Sequence, residues 1–140
     1  MDYRRFGDKL LLRMDKGEEI LTGLEKVVRQ EGITLGQVQA LGAVSKVTAG
    51  LYNVEKQEYS KTTLTGDFEI VSLTGTVDTM NGEYYSHLHI SVSDHNFQVW
   101  GGHLNEAVVS GTCELILTII PGSINRRKDP QVGLNVWKLK

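Results

Sequence analysis

The residues of this sequence with the clearest capacity for chemistry are its four histidines, which all lie between positions 87 and 103. Two of them form a His87-x-His89 pair, and His103 follows in the tetrapeptide Gly-Gly-His-Leu at positions 101–104. Neutral imidazoles are common ligands of zinc and related divalent transition metals. Three imidazoles around one ion would leave a coordination position open for water or a ligand. The spacing therefore predicts a three-histidine site for zinc or another divalent transition metal, built from His87, His89 and His103.

The segment around the first two histidines has the alternation of a β-strand. Leu88, Ile90 and Val92 fall on one face, and the histidines fall on the other together with two serines. Side chains at i and i+2 of a strand point the same way, so His87 and His89 are expected to leave the sheet on its polar side.

Whether His103 joins them depends on the hairpin that follows. A three-residue loop at positions 94–96 would place His103 opposite His87 and Gly101 opposite His89, with all three imidazoles on one face. A two-residue loop would reverse the parity and send His103 to the other face. With the longer loop, Gly101 and Gly102 are candidate site residues, because the missing side chain of Gly101 would leave room beside His89.

Less chemical interpretations also fit these residues. Polar strand faces accept histidine without any metal, and His95, at the expected loop tip, is predicted to be only solvated. Cys113 alternates with apolar neighbours and is predicted to be a buried, inert thiol. Glu69 and Arg13 are charges inside otherwise apolar strands. Glu69 is a candidate fourth ligand, ligand-orienting group or base, but the two charges could equally pair with each other or with backbone groups.

The elements that must position the site begin with one amphipathic helix, predicted at about residues 17–31. Asp15-x-x-Glu18 has the spacing of a capping box, and Gly32 is suited to the position after the helix end. The apolar positions form one helical stripe: Ile20, Leu21, Leu24, Val27 and Val28.

The rest of the chain has strand patterns. Residues 33–51 are predicted as strand interrupted at three glycines, and residues 68–77 and 108–120 as strong strands, the last one central. The order of one helix and many strands predicts an α+β fold with a mostly antiparallel or mixed sheet, and the length of 140 residues predicts one domain over residues 1–140.

Composition limits the function classes. The formal net charge of -2 and the isoelectric point near 6.1 argue against nucleic-acid binding through an overall positive field. The basic triplet at residues 126–128 is predicted to be a solvated loop. A single cysteine, no signal-peptide pattern and no long apolar run predict a cytoplasmic protein without membrane association.

The motifs taken together resemble the plants-and-prokaryotes-conserved (PPC) domain, over about residues 5–120. The resemblance rests on His-x-His and Gly-Gly-His-Leu at this separation, and on residues that match in the same order: Arg13, Gly17-Glu18, Gly32, Gly42, Phe68-Glu69-Ile70, Ser72-Leu73-x-Gly75 and Gly111-Thr112-x-Glu114. It implies the PPC-domain fold, a homotrimer, and three histidines near the subunit boundary that hold a metal in some members. In plant members the domain follows AT-hook segments that bind DNA; this sequence has no Arg-Gly-Arg-Pro hook.

Two hypotheses follow. The first is a small homotrimeric protein with a three-histidine metal or small-ligand site, whether a binding protein or an enzyme. The second is a DNA-associated regulator or oligomerisation module. The acidic charge balance and the missing hook favour the first.

Overall fold

A computed structural model describes all residues from Met1 to Lys140. It contains one helix and eight strands, which we number in chain order: β1 Asp2–Phe6, β2 Lys9–Asp15, α1 Ile20–Gln30, β3 Gly36–Asn53, β4 Glu58–Met80, β5 Glu83–Ser93, β6 Val99–Ile119, β7 Asn125–Lys128 and β8 Asn135–Trp137. No helix in the structure has the length and apolarity needed to cross a lipid bilayer.

The predicted α+β class is wrong, because the protein is mostly β. Strands hold 66% of the residues and the helix 8%, and all eight strands join one sheet. The single helix has only 11 residues, and the glycines that were interpreted as interruptions of residues 33–51 do not break β3, which has 18 residues. Gly42 instead lies within β3 at a register shift, with a φ of +148°, and a Cβ there would come within 2.2 Å of the Thr112 carbonyl oxygen. Glycine thus permits close strand packing at this position rather than ending the strand.

The helix is shorter than the predicted span of 17–31 and begins at a different cap. The carboxylate of Glu19 accepts hydrogen bonds from the backbone N–H groups of Leu21 and Thr22, which makes Glu19 the N-cap. The proposed capping-box pair instead closes the preceding turn, where the Asp15 N–H donates to Glu18 at 2.7 Å. Gly32, just beyond the helix end, has a φ of +64°, as its predicted position requires.

The sheet positions the histidine strands through a closed path of pairing. β6 pairs with β3, β3 with β4, β4 with β5, and β5 again with β6, all antiparallel. β1 and β2 extend the sheet beyond β6, and β7 adds to β4 in parallel and carries β8. Since both neighbours of β5 belong to this ring, its backbone is fixed on either side.

The inner face of the histidine strand confirms the predicted alternation. Leu88, Ile90 and Val92 are each at most 2% exposed and belong to one core cluster of 22 buried residues. The helix stripe joins that cluster through Ile20, Leu24, Val27 and Val28. Cys113 is also buried there, as predicted, and burial raises the pKa of its thiol to about 12, which disfavours the reactive thiolate.

The outer face of the sheet keeps apolar side chains in solvent. Leu11 of β2 lies directly opposite Ile116 of β6, and Leu41 of β3 lies one diagonal step away, opposite Glu114. The three apolar side chains are 42%, 44% and 59% exposed, respectively for Leu11, Ile116 and Leu41. The end of β6 was predicted to be central because it is apolar on both faces, and it does pair with β2 on one side and β3 on the other, but its outer face is not covered within this chain.

Candidate metal centre

The three histidines lie together on the polar side of β5 and β6. The centroids of their rings are 5.3 Å apart for His87 and His89, 5.2 Å for His87 and His103, and 5.7 Å for His89 and His103. One nitrogen from each ring lies within 4.8 Å of the other two. The rings thus form a nearly equilateral triangle with their nitrogens converging.

The hairpin register explains this convergence and differs from the predicted one. Ser93 pairs with Val99, so the loop has five residues, Asp94 to Gln98, instead of three. The shift of two residues keeps the parity, which leaves His103 on the predicted face, but it places His103 opposite His89 rather than His87. Asp94 shapes the loop, since its carboxylate accepts from the backbone N–H groups of Asn96 and Gln98 and from the indole of Trp100. An aspartate at the start of a loop can accept hydrogen bonds from backbone N–H groups of that loop, and Asp94 was therefore the sequence signal for the longer turn.

The electrostatic setting favours neutral imidazoles. Burial lowers the pKa of His87 below its ordinary value, and the nearby positive charge of Arg126 lowers it further. Burial also lowers the pKa of His103, with His89 as the second cause. Metal ions bind the deprotonated ring, so both shifts reduce competition from protons.

The histidines open into a cleft of about 1040 Å³. Strands β3 and β4 supply Leu51, Tyr59 and Thr74, and the C-terminal strands supply Lys128 and Trp137. The volume is at the upper end of the range for small-molecule sites, and it exceeds what an ion and its water would fill. The arrangement can therefore receive a ligand next to the rings.

Tyr59 is a site residue that the sequence pattern did not reveal. Its ring meets His103 edge-on with a centroid distance of 6.1 Å, and its hydroxyl accepts a hydrogen bond from Asn105. The Asn105 amide also donates to the His103 carbonyl oxygen at 3.0 Å. Gly50 makes room for the tyrosine, because a Cβ there would lie 1.9 Å from the Tyr59 hydroxyl oxygen. Only tertiary pairing of β3 with both β4 and β6 brings these residues together.

A buried ion pair forms the floor beside His87 and was also missed. Arg126 donates through Nε and Nη2 to the two carboxylate oxygens of Asp78, at 2.7 and 2.8 Å, with side chains only 4% and 0% exposed. The indole of Trp137 donates to the same carboxylate at 2.7 Å. Arg126 was predicted to be solvated with its basic neighbours, but residues 125–128 form β7. Asp78, a charge directly after the predicted strand at residues 68–77, was the available signal.

Glu69 and Arg13 lie elsewhere in the chain. Glu69 is exposed and pairs with Ser93, whereas His89 pairs with Thr74, five residues further along β4 and so roughly 15 Å away. Arg13 forms ion pairs with Asp2 at 2.6 Å and Asp15 at 3.1 Å. Within one chain neither residue reaches the histidines, and they do not contact each other as ion partners.

The two glycines before His103 serve strand packing rather than ring clearance. Gly101 pairs with Ser91, not with His89, and a Cβ on it would meet the Ile90 carbonyl oxygen at 2.4 Å. A Cβ on Gly102 would meet the Gly50 carbonyl oxygen at 2.5 Å, although Gly102 does line the cleft. His95 is exposed in the loop, as predicted.

These residues fit a transition-metal ion. Three imidazoles of one chain converge, two of them are held neutral by their surroundings, and no Asp or Glu lines the cleft to complete a closed shell. Such a donor set suits zinc and its neighbours better than calcium or magnesium, which prefer oxygen ligands.

Fold and site together define a small, mostly β protein with an open cluster of three histidines in a ligand-sized cleft. The chain belongs to the Plants and Prokaryotes Conserved (PCC) domain family, also written PPC, which matches residues 1–121.

Solved structures of similar proteins share the whole fold. One from Bacteroides thetaiotaomicron, provisionally named as DNA-binding, has a TM-score of 0.95 at 29% identity and covers 98% of this chain and 96% of its own. A metal-containing protein from Archaeoglobus fulgidus has a TM-score of 0.88 at 32% identity and covers 99% of both chains. The bifunctional protein GlmU of a Synechococcus strain is 31% identical over 87% of this chain, which spans only 18% of that protein's length.

Proposed function

We propose that this protein binds a transition-metal ion, with zinc as the first candidate, through His87, His89 and His103, and that the ion receives a small ligand in the adjoining cleft. The observation that carries the proposal is the convergence of three imidazole nitrogens within 4.8 Å of one another in the lining of a cleft of about 1040 Å³. The similar Archaeoglobus protein, described as metal-containing, supports it.

When bound, an ion with an open position supplies Lewis-acid chemistry, polarising a ligand oxygen or lowering the pKa of bound water. The chain's own residues prepare that position. Burial lowers the pKa values of His87 and His103, the ring of Tyr59 packs nearly perpendicular to that of His103, and the cleft has room for a ligand. Metal binding with ligand recognition is the function that this arrangement supports best.

Metal analysis of purified protein tests the proposal. We expect about one zinc equivalent per chain after dialysis, its removal by a strong chelator, and its return on addition of zinc. If zinc binds the folded protein and not the unfolded chain, the free energy of unfolding should rise by about 2.7 kcal/mol at a free zinc concentration 100 times Kd. Protein that neither carries zinc nor takes it up, while keeping its fold, would contradict the proposal.

We further propose that the protein is a homotrimer, as the family resemblance implies, and that the exposed patch of Leu11, Leu41 and Ile116 lies in the interface. Apolar side chains opposed across two central strands are costly to leave in water, and a second copy can cover them.

The change Ile116→Glu should shift the mass measured by light scattering from three chains toward one, because it buries a charge in the contact. Val71→Glu, on a 56% exposed position of β4, is the matched control. A wild-type mass of one chain would refute the trimer, and an unchanged trimer in the Ile116 variant would refute this interface.

DNA association is the second candidate, favoured by the provisional names of similar proteins from Bacteroides thetaiotaomicron and Ralstonia eutropha. The basic triplet gives it little support, because Arg126 is neutralised by Asp78 and Arg127 lies 3.5 Å from Asp129.

We expect no mobility shift of an A·T-rich duplex at low salt, where phosphate attraction is strongest. A shift that weakens steeply with added salt would make the DNA-associated function the better one.

A further inference from the structure

The chain's last segment, residues 122–140, lies beyond the family match and forms one wall of the histidine cleft. Its contribution includes Arg126, Lys128, Leu134, Val136 and Trp137. This wall brings both the remaining positive charge and much of the apolar surface that faces the histidines.

The wall is held rigidly. β7 pairs in parallel with the end of β4, and the Arg126 guanidinium, besides its ion pair with Asp78, donates to the Asn135 carbonyl oxygen at 3.0 Å. The same guanidinium lies 4.6 Å from the ring centroid of Tyr85. The position of β7 and β8 over the cleft is therefore set by the fold and does not depend on a ligand.

The charges of the cleft are unbalanced. The chain has 17 acidic residues, yet none of them lines the cleft. The positive charge of Arg126 is matched by Asp78 beneath it. Lys128 lines the cleft, is exposed and takes part in no ion pair, so the cleft offers one ammonium group without an anionic partner.

We propose that residues 122–140 complete a pocket for a small organic carboxylate, and that Lys128 binds its carboxylate group while the ligand's body lies against Leu134, Val136 and Trp137 on the way to the histidines. Among the side chains that line the cleft, Lys128 is the cation without an anionic partner, and its single charge matches that of a carboxylate. Phosphate sites more often use a helix N-terminus or the planar fork of an arginine, and here the only arginine in the lining is already occupied. The proposal deepens the proposed function and rests on its cleft.

The two tryptophans give a direct test. The indole of Trp137 lines this cleft, whereas Trp100 lines a different depression, so their N–H resonances are a reporter and an internal reference. We would titrate ¹⁵N-labelled protein with 3-phenylpropionate, with the neutral 3-phenylpropionamide, and with inorganic phosphate. Trp100→Phe assigns the two signals.

We expect 3-phenylpropionate to move the Trp137 signal in a saturable way, and the amide and phosphate to bind at least tenfold more weakly. Lys128→Gln should weaken the carboxylate about tenfold, the loss of one charge-assisted hydrogen bond. Arg127→Gln removes the same charge from the same strand outside the cleft and should leave affinity unchanged.

Equal binding of acid and amide, an unaffected Lys128→Gln variant, or preferred binding of phosphate would each overturn the proposal. Metal content measured on the same samples separates the two proposals. Metal uptake without Lys128-dependent carboxylate binding would refute this inference alone. Carboxylate binding that depends on Lys128 in protein unable to take up metal would refute only the metal function.

Discussion

Replacing His103 by alanine is expected to lower zinc affinity by more than about 100-fold while leaving the fold intact. Loss of a group that only orients a ligand typically costs 10–100-fold, so loss of one of three direct ligands should exceed that range. His103 lies on β6, separate from the His87 and His89 pair on β5, and it supplies the third nitrogen of the cluster. Competition with a chromophoric zinc chelator measures the affinity.

His95→Ala is the matched control, because His95 lies on the same hairpin but is exposed in its loop. It should bind zinc as the wild type does. Equal affinity in the two variants would show that zinc is held elsewhere and would contradict the three-histidine site. Circular dichroism and thermal unfolding of the metal-free variants establish that folding is unchanged.

The same site should hold zinc below the pH at which ordinary histidines release it. The pKa values of His87 and His103 lie below the usual value near 6.5, so protons compete only at lower pH. In metal-free protein the unfolded chain binds more protons than the folded one in this window, and the free energy of unfolding should therefore fall as pH falls through about 6.5. Zinc release that begins well above pH 6.5 would contradict the lowered pKa values.

The second large effect is expected at the ion pair beside the cleft. Asp78→Asn should lower the free energy of unfolding by about 3–5 kcal/mol, because it leaves the buried guanidinium of Arg126 without its counter-charge. For a chain of this size that corresponds to a fall in Tm of about 10–20 °C. Thermal unfolding at a fixed protein concentration measures it, since the stability of an oligomer depends on concentration.

Asp2→Asn is the control for this change, because Asp2 pairs with Arg13 in solvent, where an ion pair is worth at most about 1 kcal/mol. Adding Arg126→Met to Asp78→Asn should restore part of the loss by removing the unpaired charge. A fall in Tm as small as that of Asp2→Asn would contradict a buried pair. Limited proteolysis should also cleave the segment beyond residue 121 more readily in the Asp78→Asn variant, because the ion pair of Asp78 with Arg126 holds β7 against β4.

The local pattern of the sequence was sufficient to predict the histidine strand. The alternation of Leu88, Ile90 and Val92 with polar residues determines which side chains are buried whatever the neighbouring strand does. The apolar stripe of the helix was likewise predictable from the local pattern, but the residue at which the helix begins was not. Asp15 and Glu19 are both able to cap; in the structure Glu19 does so, and it also accepts a hydrogen bond from the backbone N–H of Ala107 at 3.1 Å, a contact that the local sequence does not reveal.

The fold class was mispredicted because the single helix was counted as a class-defining element, although it holds only 8% of the residues. The continuity of β3 was mispredicted because glycine has two opposite roles in strands, which the sequence alone does not distinguish. A glycine can end a strand, or it can sit within one where another backbone comes close. Gly42 and Gly102 belong to the second kind, and each is recognisable only when the facing carbonyl oxygen is known. The pattern of residues 33–51 therefore indicated an interrupted strand, whereas β3 is continuous from Gly36 to Asn53.

The sequence by itself determined that three histidines share one face, because parity along a strand and across a hairpin survives a register shift of two residues. It also placed this chain in its family. Only the tertiary structure decided that His89 faces His103, that Glu69 and Arg13 lie apart from the rings, and that Lys128 faces the cleft. Those outcomes depend on which distant strands pair, and long-range pairing is set by the burial of the whole core rather than by any local run of residues.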